Sequence, residues 1–376
     1  MKHLRIGLVG FGFMGKTHLF AVRNLPFFYR GGEMGGLAFT AEVAAVSAST
    51  PASAEAAARA YGIPRAVGTA EEMLADPAID VIDICSPNPA HYAVAKAAIL
   101  AGKHVLCEKP LTVTVTEAAE LCELADEHGV ICGTVFNNRF LLPVMRAREL
   151  IDEGRLGRIL SFDFAYRHNS CIDPERRAGW KQDAHFGGGT LCDLGPHVID
   201  LCHHLCGEFR WVLGRGQIAY PTHIKADGSE WRTNADEAFY LIAETQERAM
   251  GTITVSKLTQ GANDELTFSV NGERGSLSFS LMQPNFLHFY DATAPAGRRG
   301  YVQIECAGRY PAPASGFPAV KAPQGWLRGH IGCMAAYLSA VAEGRPASPS
   351  FADGLYVQRV LEAAMKSGLA GREVAL

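Results

Sequence analysis

The sequence predicts an α/β protein with an N-terminal doubly wound parallel sheet, followed by an α+β domain built on a mostly antiparallel sheet. Three observations predict it. Short apolar runs alternate with helical stretches over the first third of the chain, the rhythm of parallel strands joined by helical crossovers. A Gly-x-Gly-x-x-Gly run, Gly10 to Gly15, stands between the first apolar run and the first helix. After Arg139 the rhythm changes to consecutive strands with turn residues between several of them.

The elements follow in order. Residues 5–9 read as a buried strand, with a helix from about 14 to 23. A second strand covers 42–47, and the Ala-rich helix 53–61 stops at Gly62. Thr69 and Glu72 fit a capping box, so a short helix opens there. A strand at 81–85, a helix at 90–101 ended by Gly102, and a strand at 104–107 continue the alternation. Thr114 and Glu117 form a second box, whose helix runs to His128 before a strand at 130–135. The first domain is therefore 1–135 and the second 136–376. In the second, 159–167, 211–220, 238–244, 251–257 and 265–271 have strand composition. Asn271-Gly272 and Glu273-Arg274-Gly275 read as hairpin turns. Helices return at 329–343 and 354–367, and the Pro-, Gly- and Ala-rich stretch 284–324 reads as long surface loops.

Composition narrows the function classes. A length of 376 residues suits two domains, at most three. With 48% apolar and 20% charged residues the chain is an ordinary globular one, which excludes disordered, collagen-like and coiled-coil classes. Lys+Arg 35 against Asp+Glu 39 gives a net charge of −4, which excludes a broad basic nucleic-acid surface. The ten cysteines include no Cys-x-x-Cys pair, and several sit in apolar runs, as small reduced hydrophobes do. Residues 1–6 lack a signal-peptide core, and no apolar run is long enough to span a bilayer, so a cytoplasmic location without membrane partners is expected.

The glycine run lies where a dinucleotide site needs it, after a strand and at a helix start. Gly10 allows the tight turn, Gly12 lets a pyrophosphate approach the backbone, and Gly15 lets helix and strand pack closely. Phe13 and Met14 between them offer backbone N–H groups at the helix N-terminus. A glycine turn without a ligand is the alternative. The second strand ends in Ser47-Ala48-Ser49-Thr50, with Ala48 where an acid would hold the adenosine ribose. No carboxylate there repels a 2′-phosphate, and Ser49 and Thr50 could donate to one. NAD and NADP both remain open, with a slight tilt to NADP.

Two clusters carry candidate chemistry. Glu108-Lys109-Pro110 lies just past the carboxyl end of a strand, where doubly wound sheets bind ligands. Lys109 could bond a substrate hydroxyl there, with Glu108 holding the lysine, although a plain surface lysine fits the position equally. The second cluster is the segment 187–200, three glycines followed by Asp193, Pro196, His197 and Asp200. Pro196 suits the first turn of a helix that ends at Gly207, which places Asp193 just before it. An Asp near a His can orient the ring for acid–base work; a histidine bonded to a loop carbonyl is the alternative. No metal site is expected. His203 and His204 are adjacent on a helix and so point about 100° apart, and Cys202 and Cys206 belong to its apolar stripe.

Together these residues resemble the Gfo/Idh/MocA family of sugar and polyol oxidoreductases over nearly the whole chain. The likeness covers the glycine opening, Cys85-Ser86-Pro87 with His91 after it, and 101–110 through Glu-Lys-Pro. It continues through Phe136-Asn137-Asn138-Arg139, Trp180-Lys181, the segment 187–200, and Phe351-Ala352-Asp353-Gly354. Residues 12–18 and 25–39 look most like levoglucosan-dehydrogenase-type members. The resemblance implies a Rossmann domain and a C-terminal open-faced sheet that forms a homodimer or homotetramer contact. It implies that Lys109, Asp193 and His197 meet beside the nicotinamide as catalytic residues. It implies cofactor contacts at Ser86, Pro87, Asn88, His91, Glu108, Lys109 and Asn137, and further substrate contacts at Arg139, Trp180 and Lys181. Trp180 as a core residue is the alternative. The expected activity is NAD(P)-dependent oxidation of a secondary alcohol of a sugar, anhydrosugar or cyclitol, or the reverse reduction. The rivals are a non-catalytic dinucleotide-binding sensor or co-regulator of the same fold, and a dihydrodiol-type dehydrogenase.

Overall fold

A computed structural model describes residues 1–29, 36–173, 177, 179–225, 227–307, 322 and 325–376. The chain divides into two compact units, 1–140 with 308–358, and 141–307 with 359–376. A single cut at 135 therefore describes only part of the division, because helix α8 (Gly325–Glu343) belongs to the unit of the N-terminal sheet.

In the first unit β1 (Lys2–Val9), α1 (Phe13–Phe28), β2 (Phe39–Ser47), α2 (Pro51–Tyr61), β3 (Arg65–Ala66), α3 (Glu71–Leu74) and β4 (Val81–Ile84) follow one another. Then come α4 (His91–Leu100), β5 (His104–Cys107), α5 (Val115–His128) and β6 (Cys132–Thr134). The six strands are parallel in the order β3-β2-β1-β4-β5-β6, so the order reverses between β1 and β4. Successive strand residues face opposite sides. Val81 and Leu106 join Leu19, Val22 and Leu25 of α1 with Ile331 and Leu338 of α8 (Gly325–Glu343). Ile82 and Val105 join Ala95 and Ile99 of α4 with Leu121 of α5 on the other side. The sheet is buried on both faces, as its continuous apolar strands require.

Local signals worked unevenly. The Thr114 hydroxyl accepts from Glu117 N–H while the Glu117 carboxylate accepts from Thr114 N–H, the full reciprocal box. At Thr69 only one half forms: Glu72 accepts from the Gly68 and Thr69 N–H groups, and α3 starts at Glu71. Helix α1 runs past the expected end to Phe28, with Pro26 inside it.

The second unit contains α6 (Leu142–Asp152), β7 (Ile159–Arg167), α7 (Thr190–Cys206), β8 (Phe209–Gln217), β9 (Thr222–Ile224) and β10 (Glu230–Arg232). It continues with β11 (Ala238–Thr245), β12 (Met250–Ser256), β13 (Glu265–Gly272), β14 (Gly275–Ser280), β15 (Phe286–Asp291) and β16 (Tyr301–Glu305). Helix α9 (Phe351–Ala370) leads into β17 (Val374–Ala375). Nine strands form one sheet, β16-β15-β14-β13-β7-β12-β11-β8-β17, antiparallel except at β7–β12. Strands β15 and β16 occupy part of the stretch expected as loops, while 308–321 and 323–324 lie outside the described residues. Helix α7 lies on β7, β11 and β12.

Candidate active site

The anion-binding end of the first unit is built from the glycine run. Gly10 has a φ of 93°, and a Cβ there would lie 2.7 Å from the Cys85 carbonyl; a Cβ on Gly15 would lie 2.2 Å from the Gly10 oxygen. Both positions are closed to side chains. Gly12 differs, since a Cβ there meets nothing within 4 Å. That position is therefore open on the side where a ligand would approach the helix start. Gly12 is also the N-cap of α1, which has no side-chain cap and no acid in its first turn, so the helix end is available to a phosphate. The residues present fit a dinucleotide.

Behind Lys109 lies a sealed charge network. His18, on α1, has Nδ1 at 2.9 Å from Asp83 Oδ1 and Nε2 at 3.1 Å from Glu108 Oε1. Glu108 Oε2 accepts from the Lys109 backbone N–H at 3.1 Å. The side chains of His18, Asp83 and Glu108 are 1–6% exposed. Burial alone would lower the His18 pKa, but the Asp83 carboxylate outweighs it and holds the ring protonated, well above the usual 6.5. Burial likewise pushes Glu108 up, yet the His18 hydrogen bond and charge win and bring its carboxyl down to about 2. The Cys85 Sγ lies 3.2 Å from His18 Nδ1, and burial pushes this thiol up to about 12, so it stays neutral. His330, on α8, is buried as well; burial first and the His18 charge second bring it down to about 3. It packs edge-on against Trp326, 4.3 Å between ring centroids. His18, Glu108 and His330 offer ligand atoms within 4.8 Å of one another. Within this trio the His18 ring bridges the Glu108 carboxylate and, on its other nitrogen, Asp83, while His330 is neutral.

In the second unit Asp193 and His197 are four residues apart on α7 and share one face. This corrects the expected helix start: α7 begins at Thr190, and Pro196 lies in its interior. Asp236 makes the earlier start possible, because its carbonyl accepts from Thr190 N–H and its Oδ1 from Leu191 N–H, both at 2.9 Å. Burial pushes the Asp236 carboxyl up to about 6 against the pull of those donors. Asp193 therefore sits in the first turn, where the helix dipole favours its charge. Its Oδ2 accepts from Lys181 Nζ at 3.0 Å and from Lys257 Nζ at 2.5 Å. The His197 ring meets Tyr166 edge-on at 5.8 Å, and the Tyr166 hydroxyl donates to Asp264.

Comparison with known proteins agrees with this architecture. A family model described as an oxidoreductase family with an NAD-binding Rossmann fold matches residues 4–136, and one for the GFO/IDH/MocA C-terminal domain matches 144–278. Levoglucosan dehydrogenase of Pseudarthrobacter phenanthrenivorans (strain DSM 18606 / JCM 16027 / LMG 23796 / Sphe3) is 31% identical over 98% of this chain and 96% of its own. The chain belongs to the Gfo/Idh/MocA oxidoreductase family. A solved levoglucosan dehydrogenase in complex with NADH and levoglucosan superposes with a TM-score of 0.94 at 29% identity, covering 100% of this chain and 99% of that one. The scyllo-inositol 2-dehydrogenase (NADP(+)) IolW of Bacillus subtilis (strain 168) is 39% identical over 36% of this chain and 37% of its own.

Within this Gfo/Idh/MocA chain several residues expected as contacts also hold the scaffold together. His91 is 1% exposed, and its Nδ1 and Nε2 lie 2.8 and 2.9 Å from the Pro110 and Ser86 carbonyl oxygens. It ties together the loops after β4 and β5. Arg139 is also buried, and its guanidinium donates to Asp353 at 2.8 Å. Asn137 and Asn88 are buried, whereas Pro87, Ser49 and Phe13 are exposed; Met14, Ser86 and Lys109 are half-buried. The Thr50 hydroxyl caps α2, accepting from Ser53 N–H and donating to Ser53 Oγ. Trp180 is exposed, so the core alternative falls, and Lys181 Nζ lies 5.6 Å over its ring. The residues that sequence reading missed are His18, Asp83, His330, Asp236 and Lys257. No helix among the described residues is long and apolar enough to cross a membrane.

Proposed function

We propose that this protein oxidises a secondary alcohol of a sugar, anhydrosugar or cyclitol, or performs the reverse reduction, with NAD or NADP as hydride carrier. The observation that carries this reading is His197 on one face of α7 with an Asp193 that two lysines already hold. His197 takes the hydroxyl proton as the alcohol is oxidised. Lys109 donates to the same oxygen and stabilises its alkoxide character. Asp193 accepts from a neighbouring hydroxyl of the polyol. The bound dinucleotide supplies the ring that receives the hydride, with its phosphates at Gly12 and the α1 N-terminus. A levoglucosan-bound relative supports an anhydrosugar substrate, and the charged Lys181–Asp193–Lys257 group suits hydroxyls better than a flat aromatic diol.

The nucleotide form rests on Ala48. It supplies neither an acid to select NAD nor a donor for a 2′-phosphate, and the engaged Thr50 weakens the tilt to NADP. Assembly as a homodimer or homotetramer would use the open face of the nine-stranded sheet, where Tyr240, Ile242 and Met250 are exposed. The test follows nicotinamide reduction with NAD and with NADP across a panel of sugars, anhydrosugars and cyclitols. Lys109→Ala and His197→Ala should each lower turnover by roughly 10²–10⁴-fold while nucleotide affinity is kept. Full turnover in either variant overturns the assignment.

A further inference from the structure

We infer that Lys257 is a positioning residue that fixes Asp193 throughout the cycle, while Lys181 is the exchangeable partner that yields to substrate. The inference rests on the dehydrogenase reading and deepens it. The two ammonium groups share one carboxylate oxygen but differ in every other respect. Lys257 follows β12, its N–H donating to the Glu237 carbonyl at 2.9 Å and its carbonyl accepting from Cys171 N–H at 3.0 Å. Its side chain is 5% exposed, and among the described residues its ammonium donates to Asp193 alone. A buried ammonium needs a paired acceptor, so this lysine and Asp193 are bound to each other by mutual need. Lys181 is 41% exposed, in a short helical turn, and lies against the exposed Trp180 ring. A flexible exposed ammonium in water contributes little to such a pair and loses little by leaving it.

The division has a chemical consequence. Lys257 neutralises Asp193 and holds its carboxylate in one orientation. Lys181 adds a second positive charge on the exposed side of the same oxygen, where a substrate hydroxyl can take its place. Lys257 thus acts on turnover through Asp193, and Lys181 acts on substrate affinity.

The test is a comparison of Lys257→Met, Lys257→Arg and Lys181→Met on the wild-type polyol substrate. Lys257→Met should lower kcat by about 10²-fold, the size expected when a contact shifts by about 1 Å, with KM and NADH affinity near wild type. Lys257→Arg should recover most of the loss, because it restores a buried cation. Lys181→Met should lower KM, because the substrate hydroxyl then has no ammonium to displace from Asp193, and a raised KM would overturn the exchange. A Lys257→Met enzyme with unchanged kcat, a loss confined to KM, or no recovery by arginine overturns the inference. If the methionine variant does not fold, Lys257→Gln takes its place. A crystal structure of the folded variant gives a readout without turnover: the Asp193 carboxylate should rotate away, and an unmoved carboxylate overturns the inference. A wild-type protein that oxidises no polyol with either nucleotide overturns the proposed function instead, and the crystal comparison still decides Lys257.

Discussion

Lys109 and Asp193 are supported by opposite devices. The residue before Lys109 is locked into a network in which one imidazolium lies between two carboxylates, every side chain 1–6% exposed. Asp193 is 23% exposed and sits between one buried and one exposed lysine. The first device is sealed, and its members come from α1, β4 and the end of β5, so it is part of the fold itself. The second is open on one side and can exchange a partner. The difference teaches where damage should appear: stability in the first region, kinetics in the second.

The largest expected effect follows from His18→Ala, which strands Asp83 and Glu108 as buried, unpaired charges. It should cost about 3–5 kcal/mol of stability, read as a lower midpoint in denaturant. Lys181→Met, in the other region, should cost only about 0–1 kcal/mol. Equal losses would erase the distinction. Next, Gly12→Val should leave the denaturation midpoint near wild type, because a Cβ there meets nothing. Nucleotide affinity should fall at least about tenfold, or about 1.4 kcal/mol, measured by NADH fluorescence titration. A variant that binds NADH normally would remove the phosphate from that loop.

The effects of pH are read by sign, and their signs separate the members of the sealed network. Glu108 has its pKa lowered from 4.5 to about 2, so its stabilisation is present above 4.5 and lost as pH falls through about 2. His330, brought from 6.5 down to about 3, is protonated first in the unfolded chain, so stability also falls as pH drops from 6.5 towards 3. His18 runs the other way: its contribution is complete below 6.5 and is lost as pH rises through its raised value. His330→Phe should therefore flatten the decline between pH 6.5 and 3 in denaturation midpoints, and an unchanged slope would contradict a neutral, buried His330.

Much of the first region was legible in the sequence. The glycine run, the Thr114 box and the alternating strands are local signals, and each acts within a few residues of where it is read. The start of α7 was not legible, because Pro196 suits a first turn while the actual anchor is Asp236, forty residues further on in the loop before β11. Strands β15 and β16 were hidden by a surrounding run of Pro, Gly and Ala, where pairing of β15 with β14 and of β16 with β15 overrides composition. His91 and Arg139 showed family spacing, but spacing does not reveal that His91 holds two carbonyls or that Arg139 pairs with Asp353. His18 and Lys257 carried no local signal at all. Each pairs with groups 64 to 90 residues away, and only the fold brings them there.

The central claim is direct hydride transfer from a polyol carbon. It is tested by supplying the protein with a substrate deuterated at the carbinol carbon and NAD or NADP, then weighing the nicotinamide product by mass spectrometry. The account predicts one deuterium on the nicotinamide ring for each carbonyl formed, and Lys109→Ala should lower the amount of both products together. A carbonyl product formed without deuterium in the reduced nucleotide would contradict it.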